Sequence, residues 1–170
     1  MKKLLFLFCL LSWSVLHAQK TINRPPFIAK ATETIEIAAI HLSDTATVVD
    51  VDAKFIPKNW IRIAPATCLV ADNGERYQVR QGVGIELGQE FWMPESGEAT
   101  FSLIFPPLPA SVKSFDFVEG EGERDFNLFG ISLIGKLPKL QLPKDLGKAG
   151  KATAVALPTP EIKEGTAIIS

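Results

Sequence analysis

The stretch FSLIFPPLPASVKSFDFVEG, residues 101–120, joins two strand-like patterns through three prolines. From Phe101 to Phe105 every second residue is apolar, as on the buried face of a β-strand. Proline has no backbone N–H to donate to a neighbouring strand, so this strand must end at Phe105. Phe115 and Phe117 then resume the alternation. The stretch predicts two strands joined by a corner, where the chain crosses the end of a sheet.

Two further long strands precede it. From Val49 to Phe55 the odd-numbered positions are apolar and the even-numbered ones are charged, which predicts one buried and one solvated face. Residues 34–42 alternate similarly, with a slip of phase at Ala38 and Ala39 that predicts a β-bulge. We expect these two strands to pair antiparallel.

A hairpin is predicted at the triplet DNG, residues 72–74, because Asn and Gly tolerate the positive φ angles of a type I′ turn. Residues 68–71 should therefore fold back on residues 76–79. Shorter strands are predicted at 60–63 and 127–134.

Three glycines at positions 82, 84 and 88 indicate an irregular connection before the strand that ends at Phe105. The count reaches about eight short strands with hardly any helical periodicity. This predicts an all-β fold, an immunoglobulin-like two-sheet antiparallel sandwich, over residues 31–135. Residues 20–30 form an N-terminal lead-in. An apolar share of 46% and a charged share of 22% are typical of one globular domain.

The N-terminus resembles a leader for export. Lys2 and Lys3 precede an apolar run that is shorter than the roughly 20 residues of a membrane span, and Ala18 offers a small residue for cleavage. We expect residues 1–19 to be a signal peptide and the protein to be periplasmic or associated with the cell surface. An uncleaved anchor is the alternative. No later segment is apolar enough to span a membrane.

Composition argues against several chemistries. Removing Lys2 and Lys3 from the 18 basic residues leaves 16 against 19 acidic residues, so no basic face for nucleic acid is expected. Without Cys9 in the leader, Cys68 is a lone thiol, expected to be buried, and it forms no Cys-x-x-Cys redox pair. His41 is expected on the polar face of a strand, and a histidine triad or zinc site lacks material. We expect no catalytic residue, no metal site and no cofactor.

Two acidic groupings are interpreted as solvated. Asp50 and Asp52 share a strand face, and the sequence EGEGERD, residues 119–125, carries Glu119, Glu121, Glu123 and Asp125. Neither fits an EF-hand loop. The sequence leaves open whether the loop from Glu119 to Asp125 binds a metal.

Four aromatic residues could form a carbohydrate platform: Trp60, Tyr77, Phe91 and Trp92. We expect Trp60 in the core, because a Trp on a central strand of such a sandwich is usually buried. Phe91 and Trp92 lie in a connection, and they are the predicted contact surface.

Four motifs carry a resemblance to a known class of protein: RPPF at 24–27, FWMPESG at 91–97, FPPLP at 105–109 and FDFVEG at 115–120. With them, residues 20–145 resemble an N-terminal β-sandwich module of exported Bacteroidota proteins. In such proteins the module often precedes a thioredoxin-like disulfide oxidoreductase domain. The resemblance implies an accessory, non-catalytic role, and it implies no active-site residue because this chain has no Cys-x-x-Cys.

The C-terminal part has the composition of a linker. Residues 136–164 are rich in Lys and Pro, and residues 165–170 begin what resembles another strand. This favours a fragment of a longer protein, whose following domain would be the partner; the alternative is a tail that returns to the sandwich edge. We therefore expect a non-catalytic structural or interaction module, and as an alternative a stand-alone secreted β-sandwich that binds a glycan or a peptide.

Overall fold

The structure, a computed structural model, describes residues 19–120 and 125–137, which belong to one compact unit. The described residues form strands joined by turns and loops, with no helix. The strands are β1 (Lys20–Asn23), β2 (Ala29–Lys30), β3 (Ile35–Leu42), β4 (Thr47–Lys54), β5 (Trp60–Ile61), β6 (Cys68–Ala71), β7 (Arg76–Gln78), β8 (Gln81–Val83), β9 (Phe91–Trp92), β10 (Glu98–Phe105), β11 (Ser114–Val118) and β12 (Asn127–Ser132).

Two five-stranded sheets form the body of the protein. The first sheet has the order β1-β3-β4-β10-β8, and the second has the order β2-β12-β11-β6-β7. Strands β5 and β9 form a separate two-stranded ribbon. All of these pairings are antiparallel. The predicted all-β, two-sheet antiparallel sandwich is therefore confirmed.

Several short strands lie where the sequence predicted a lead-in or an irregular connection. In the lead-in, β1 forms an edge of the first sheet and β2 an edge of the second. Strand β8, which contains Gly82, pairs with β10 in the glycine-marked connection. These strands have two to four residues, and so short a segment shows no clear alternation.

The core lies between the two sheets. Val49 and Leu103 of the first sheet and Leu69 of the second are fully buried. Phe105 and Phe117 meet across the gap edge to face, with ring centroids 6.4 Å apart. Burying one such side chain stabilises the fold by about 2 kcal/mol.

The predicted corner is confirmed. Strand β10 ends at Phe105, and the chain then crosses to the second sheet, where β11 begins at Ser114. The hydroxyl oxygen of buried Thr47 accepts the N–H of Leu108 at 3.0 Å. This bond fixes the turn that contains the prolines.

The predicted bulge and hairpin are also present. The β3–β4 register shifts between Ile37 and Ala39, and β6 pairs with β7. The turn is not type I′, however, because Gly74 has a positive φ of 86° whereas Asn73 does not. The N–H of Gly74 donates to the carbonyl of Ala71 at 2.8 Å, as in a three-residue loop that ends in a left-handed glycine.

The two ends of the sandwich can be distinguished from the register of the first sheet. Lys20 pairs with Leu42, and Leu42 pairs with Thr47, at one end. Lys54 pairs with Glu98 at the other. The Nζ of Lys20 donates to the carbonyl of Leu133 at 2.7 Å. The chain therefore enters β1 and leaves β12 at the same end of the sandwich.

Three sets of expectations fall partly or wholly outside the described residues. They concern the leader before residue 19, the loop residues 121–124 with Glu121 and Glu123, and the linker and final strand from residue 138 onward.

Candidate functional site

The β5–β9 ribbon carries two exposed tryptophans as direct cross-strand partners. Trp60 pairs with Trp92, and Ile61 pairs with Phe91. Because opposite residues in an antiparallel pair share a side and successive residues alternate, the two tryptophans lie on one side and Ile61 and Phe91 on the other. Trp60 is 40% exposed and Trp92 is 61% exposed, whereas Ile61 is buried. The ribbon therefore has an indole-bearing side that faces solvent.

The other side of the ribbon is anchored in the core. The rings of Phe91 and Phe101 lie 6.4 Å apart, and Met93 is buried. The N–H of Met93 donates to the carbonyl of Asn59 at 2.8 Å, and the N–H of Gly88 donates to the carbonyl of Ile63 at 2.8 Å. These contacts hold the backbone under both tryptophans.

Polar and apolar groups flank the tryptophans. The Nζ of Lys58 lies 2.9 Å from the Oε1 of Glu95, and Ile56 is 60% exposed. On the far side of the ribbon pairs, the next positions along the two strands are Arg62 and Glu90, and both are exposed. The surface around the tryptophans therefore includes charged side chains and one exposed apolar side chain.

The ribbon lies at the end of the sandwich away from Lys20 and Leu133. The N–H of Phe55 donates to the carbonyl of Gly97 at 2.9 Å, one step beyond the last pair of β4 and β10. The N–H of Lys58 donates to the carbonyl of Met93, so pairing continues from there into the ribbon. The tryptophans thus lie opposite the entry and exit of the chain.

Two of the four aromatic candidates, Trp60 and Trp92, lie together on the ribbon and are exposed, whereas Phe91 and Tyr77 pack against the core. The prediction that Trp60 is buried is wrong, because β5 belongs to neither main sheet and has only one covered side. Phe91 packs against the core, while Trp92 faces solvent. Tyr77 is half-buried in β7, and its hydroxyl donates to Glu75 at 2.6 Å. The contact role of Phe91 and Trp92 stays a prediction.

A signal for the position of Trp60 was present in the sequence. In WIRI, residues 60–63, the isoleucines alternate with Trp60 and Arg62. Because alternate residues of a strand share a face, Trp60 lies on the same face as Arg62, and a charged residue on that face indicates that it is turned to solvent.

A row of hydrogen bonds crosses the outer face of the first sheet. His41 contacts the hydroxyl of Thr21 through Nδ1 at 3.0 Å and the carboxylate of Asp50 through Nε2 at 2.8 Å. The hydroxyl of Ser102 donates to the same carboxylate at 2.7 Å. A hydroxyl, an imidazole and a carboxylate in series also occur in nucleophilic hydrolases. The expectation that the chain lacks the residues for such a series is therefore wrong, because one histidine suffices and Thr21 and Asp50 supply the other two groups. The three groups lie on an open sheet face, as the expected polar position of His41 implies.

The remaining charges on this face are engaged in ion pairs. Arg24 lies 3.3 Å from Asp52, and Lys54 lies 2.8 Å from Glu98. A shallow groove is lined by Glu36, Asp52, Lys54 and Glu98, whose charges are held in ion pairs. The position of Asp52 is consistent with the predicted solvated face. Exposed pairs of this kind contribute little to stability.

Glu119 is not the solvated loop residue that was predicted. It is buried, and its two carboxylate oxygens accept the N–H groups of Ala64 at 2.7 Å and Phe126 at 2.8 Å. Burial raises the pKa of this carboxyl, and the two backbone hydrogen bonds offset the rise only in part. Glu119, which follows β11 of the second sheet, therefore holds the segment that follows β5 in place.

Three further features are the lone cysteine, metal-binding groups and membrane-spanning helices. Cys68 is buried as predicted, and the guanidinium of Arg76 donates to its Sγ at 3.0 Å. Within residues 19–120 and 125–137, no group of three or more His, Cys, Asp or Glu side chains could hold a metal ion. The same residues include no helix with the length and hydropathy of a membrane span.

Comparisons with protein-family models, with curated proteins and with solved structures find no match to this chain. The resemblance to a Bacteroidota module therefore stays a prediction.

Proposed function

We propose that this chain is a non-catalytic interaction module of an exported protein, and that the Trp60–Trp92 surface is its contact surface. One observation carries the proposal: two tryptophans are direct cross-strand partners, 40% and 61% exposed, on a ribbon whose other side is packed into the core.

Large exposed aromatic groups point to binding. Monomeric proteins rarely expose contiguous large apolar patches without a function. Trp is enriched among the residues that dominate binding energy, near the centre of contact surfaces with polar edges. A core-anchored ribbon also loses little freedom on binding, which favours affinity.

The position of the surface fits an accessory module. Lys20 and Leu133 meet at the end of the sandwich opposite the ribbon. The entry into β1 and the exit from β12 therefore both lie at the end of the sandwich opposite the proposed contact surface.

The identity of the whole protein is part of the proposal. The leader-like N-terminus and the Lys/Pro-rich residues 136–164 support an exported and longer precursor, of the kind that carries a thioredoxin-like domain. The intact mass of the native product and the reading frame beyond residue 170 test this. A stop after Ser170 would favour the alternative, a stand-alone binder of glycan or peptide. Recovery of the product with an intact leader inside the cytoplasm would contradict export.

The contact surface has its own test. A photo-cross-linking amino acid is placed at Trp92 or at Phe129, which is 39% exposed on the second sheet. In the native host, we expect a discrete adduct from position 92 and none from position 129. Equal labelling at both positions would contradict a dedicated surface at the ribbon.

A further inference from the structure

We infer that the Trp60–Trp92 surface takes an uncharged polysaccharide. This inference rests on the proposed function, since it names the ligand class of the same surface. A sugar ring has an apolar C–H face and a rim of hydroxyl groups, and the solvent side of the ribbon has the complementary layout.

The polar edges supply partners for hydroxyl groups. Arg62 and Glu90 are the first residues beyond the ribbon pair of Ile61 and Phe91, and both are exposed, as the two tryptophans are. Guanidinium and carboxylate groups donate to and accept from hydroxyls. A few placed polar groups around an aromatic surface are what fixes the orientation of a small ligand.

The spacing also suits a sugar. Directly opposite residues have Cβ atoms about 5 Å apart, and two residues along a strand span about 7 Å. Two tryptophans at that spacing can cover one or two sugar rings, with the exposed residues Arg62 and Glu90 just beyond the end of the ribbon.

Charge decides against an ionic ligand. Lys58 and Glu95 neutralise each other at 2.9 Å beside the tryptophans, and Arg62 and Glu90 carry opposite charges at neighbouring positions. An anionic membrane or an acidic polysaccharide would call for an excess of Lys and Arg. This balance of positive and negative side chains is compatible with an uncharged polysaccharide.

Two measurements on the full chain test the inference. The first is native electrophoresis through gels that contain a mixed-linkage β-glucan, a galactomannan or amylose. The second is the set of indole N–H signals in NMR spectra, in a Trp13→Phe background that leaves only Trp60 and Trp92. We expect at least one neutral polysaccharide to retard the protein and to shift both signals.

Matched variants separate binding from folding. Trp60→Ala and Trp92→Ala should each weaken retardation by about tenfold or more. Phe129→Ala removes an aromatic of similar exposure from the second sheet and should bind like the wild type. If the tryptophan variants do not fold, Glu90→Gln keeps the size of an exposed side chain and should weaken binding by about threefold or more.

The other outcomes overturn the inference and are distinguishable from failure of the contact surface. Indole shifts with polyproline peptide, polygalacturonate or anionic vesicles, and with no neutral polysaccharide, would retain the contact surface and reject this ligand. Retardation that is unchanged in both tryptophan variants would place sugar binding elsewhere. No indole shift with any probe, together with no adduct at position 92, would reject the proposed function as well.

Discussion

The Nε2 atom of His41 lies 2.8 Å from the Oδ2 atom of Asp50, across the β3–β4 pair on the outer face of the first sheet. Burial by itself raises the pKa of Asp50, but hydrogen bonds from Ser102 and His41 outweigh it, and the pKa lies below its ordinary value. The ionised carboxylate is therefore the form that the folded sheet stabilises.

Ser102→Ala should reduce stability in a pH-dependent way. A folded-state pKa below the unfolded value contributes stability above about pH 4, and this is lost as the pH falls through the folded pKa. Without the Ser102 hydroxyl the pKa of Asp50 rises, so the variant should be weaker at neutral pH and approach the wild type in strong acid. Urea denaturation from pH 2 to 6 measures this. Thr100→Ala, on the same strand face, should give a difference independent of pH; parallel curves for Ser102→Ala would contradict the assignment.

Glu119→Gln should change the pH dependence in the opposite direction. Burial raises the pKa of Glu119 in the folded state, so its contribution is fully present below about pH 4.3 and is lost as the pH rises through the folded pKa. The variant, which has no carboxyl to ionise, should gain stability relative to the wild type as the pH rises toward 7.

Chemical denaturation at several pH values measures the stability of Glu119→Gln, and Glu75→Gln is the comparison variant. Hydrogen bonds from Tyr77 and Asn73 lower the pKa of Glu75, so that variant should lose stability relative to the wild type as the pH rises. The same slope in both variants would refute the opposite roles of the two carboxyls.

Glycine substitutions should separate steric clash from backbone strain. Gly74, Gly97 and Gly130 have positive φ angles of 86°, 70° and 64°. A Cβ on Gly74 meets nothing within 4 Å, one on Gly97 would lie 2.6 Å from the carbonyl oxygen of Phe55, and one on Gly130 would lie 2.5 Å from the side chain of Ile28. Alanine at Gly74 should cost about 1 kcal/mol from strain alone.

Alanine at Gly97 or Gly130 should cost about 1–3 kcal/mol more, because an overpacked site must shift. Only the Gly130 variant should be rescued by Ile28→Ala, and only in part, because alanine removes the two nearest carbons of Ile28 but keeps a Cβ that is 3.0 Å away. The backbone carbonyl that meets Gly97 cannot be shortened. Thermal denaturation of the single and double variants measures the rescue. Equal costs at all three glycines would leave no role for the clashes.

The long strands and the corner could be predicted because their signals are local. Burial on one face imposes an alternation of period two, and it is legible in β4 and β10 over eight residues. The prolines after Phe105 remove ladder donors whatever the rest of the fold does. The DNG triplet likewise specified a tight hairpin, although the number of loop residues selected a different turn type.

The hydrogen bonds of Asp50 and Glu119 join residues that lie far apart in the chain, and so does the Trp60–Trp92 pair. Ser102 reaches Asp50 over 52 positions, and Glu119 reaches Ala64 over 55 positions, so neither bond has a local signature. Trp60 was misplaced for a related reason: the burial of a strand depends on whether it lies inside a sheet. A two-residue strand does not reveal this, although the alternation with Arg62 indicated the exposed side.

Thr47→Val should destabilise the protein although the two side chains have nearly the same shape. Thr47 is fully buried, and its Oγ1 accepts the N–H of Leu108 within the proline-rich corner. Valine leaves that N–H without a partner inside the fold, which costs about 1–3 kcal/mol. Thr100→Val is the control, because Thr100 is exposed on the solvent side of β10 and should change stability by less than about 0.5 kcal/mol. Chemical denaturation gives both values, and hydrogen exchange at Leu108 should accelerate in Thr47→Val alone. Equal losses in the two variants, with unchanged exchange at Leu108, would show that this bond does not hold the corner.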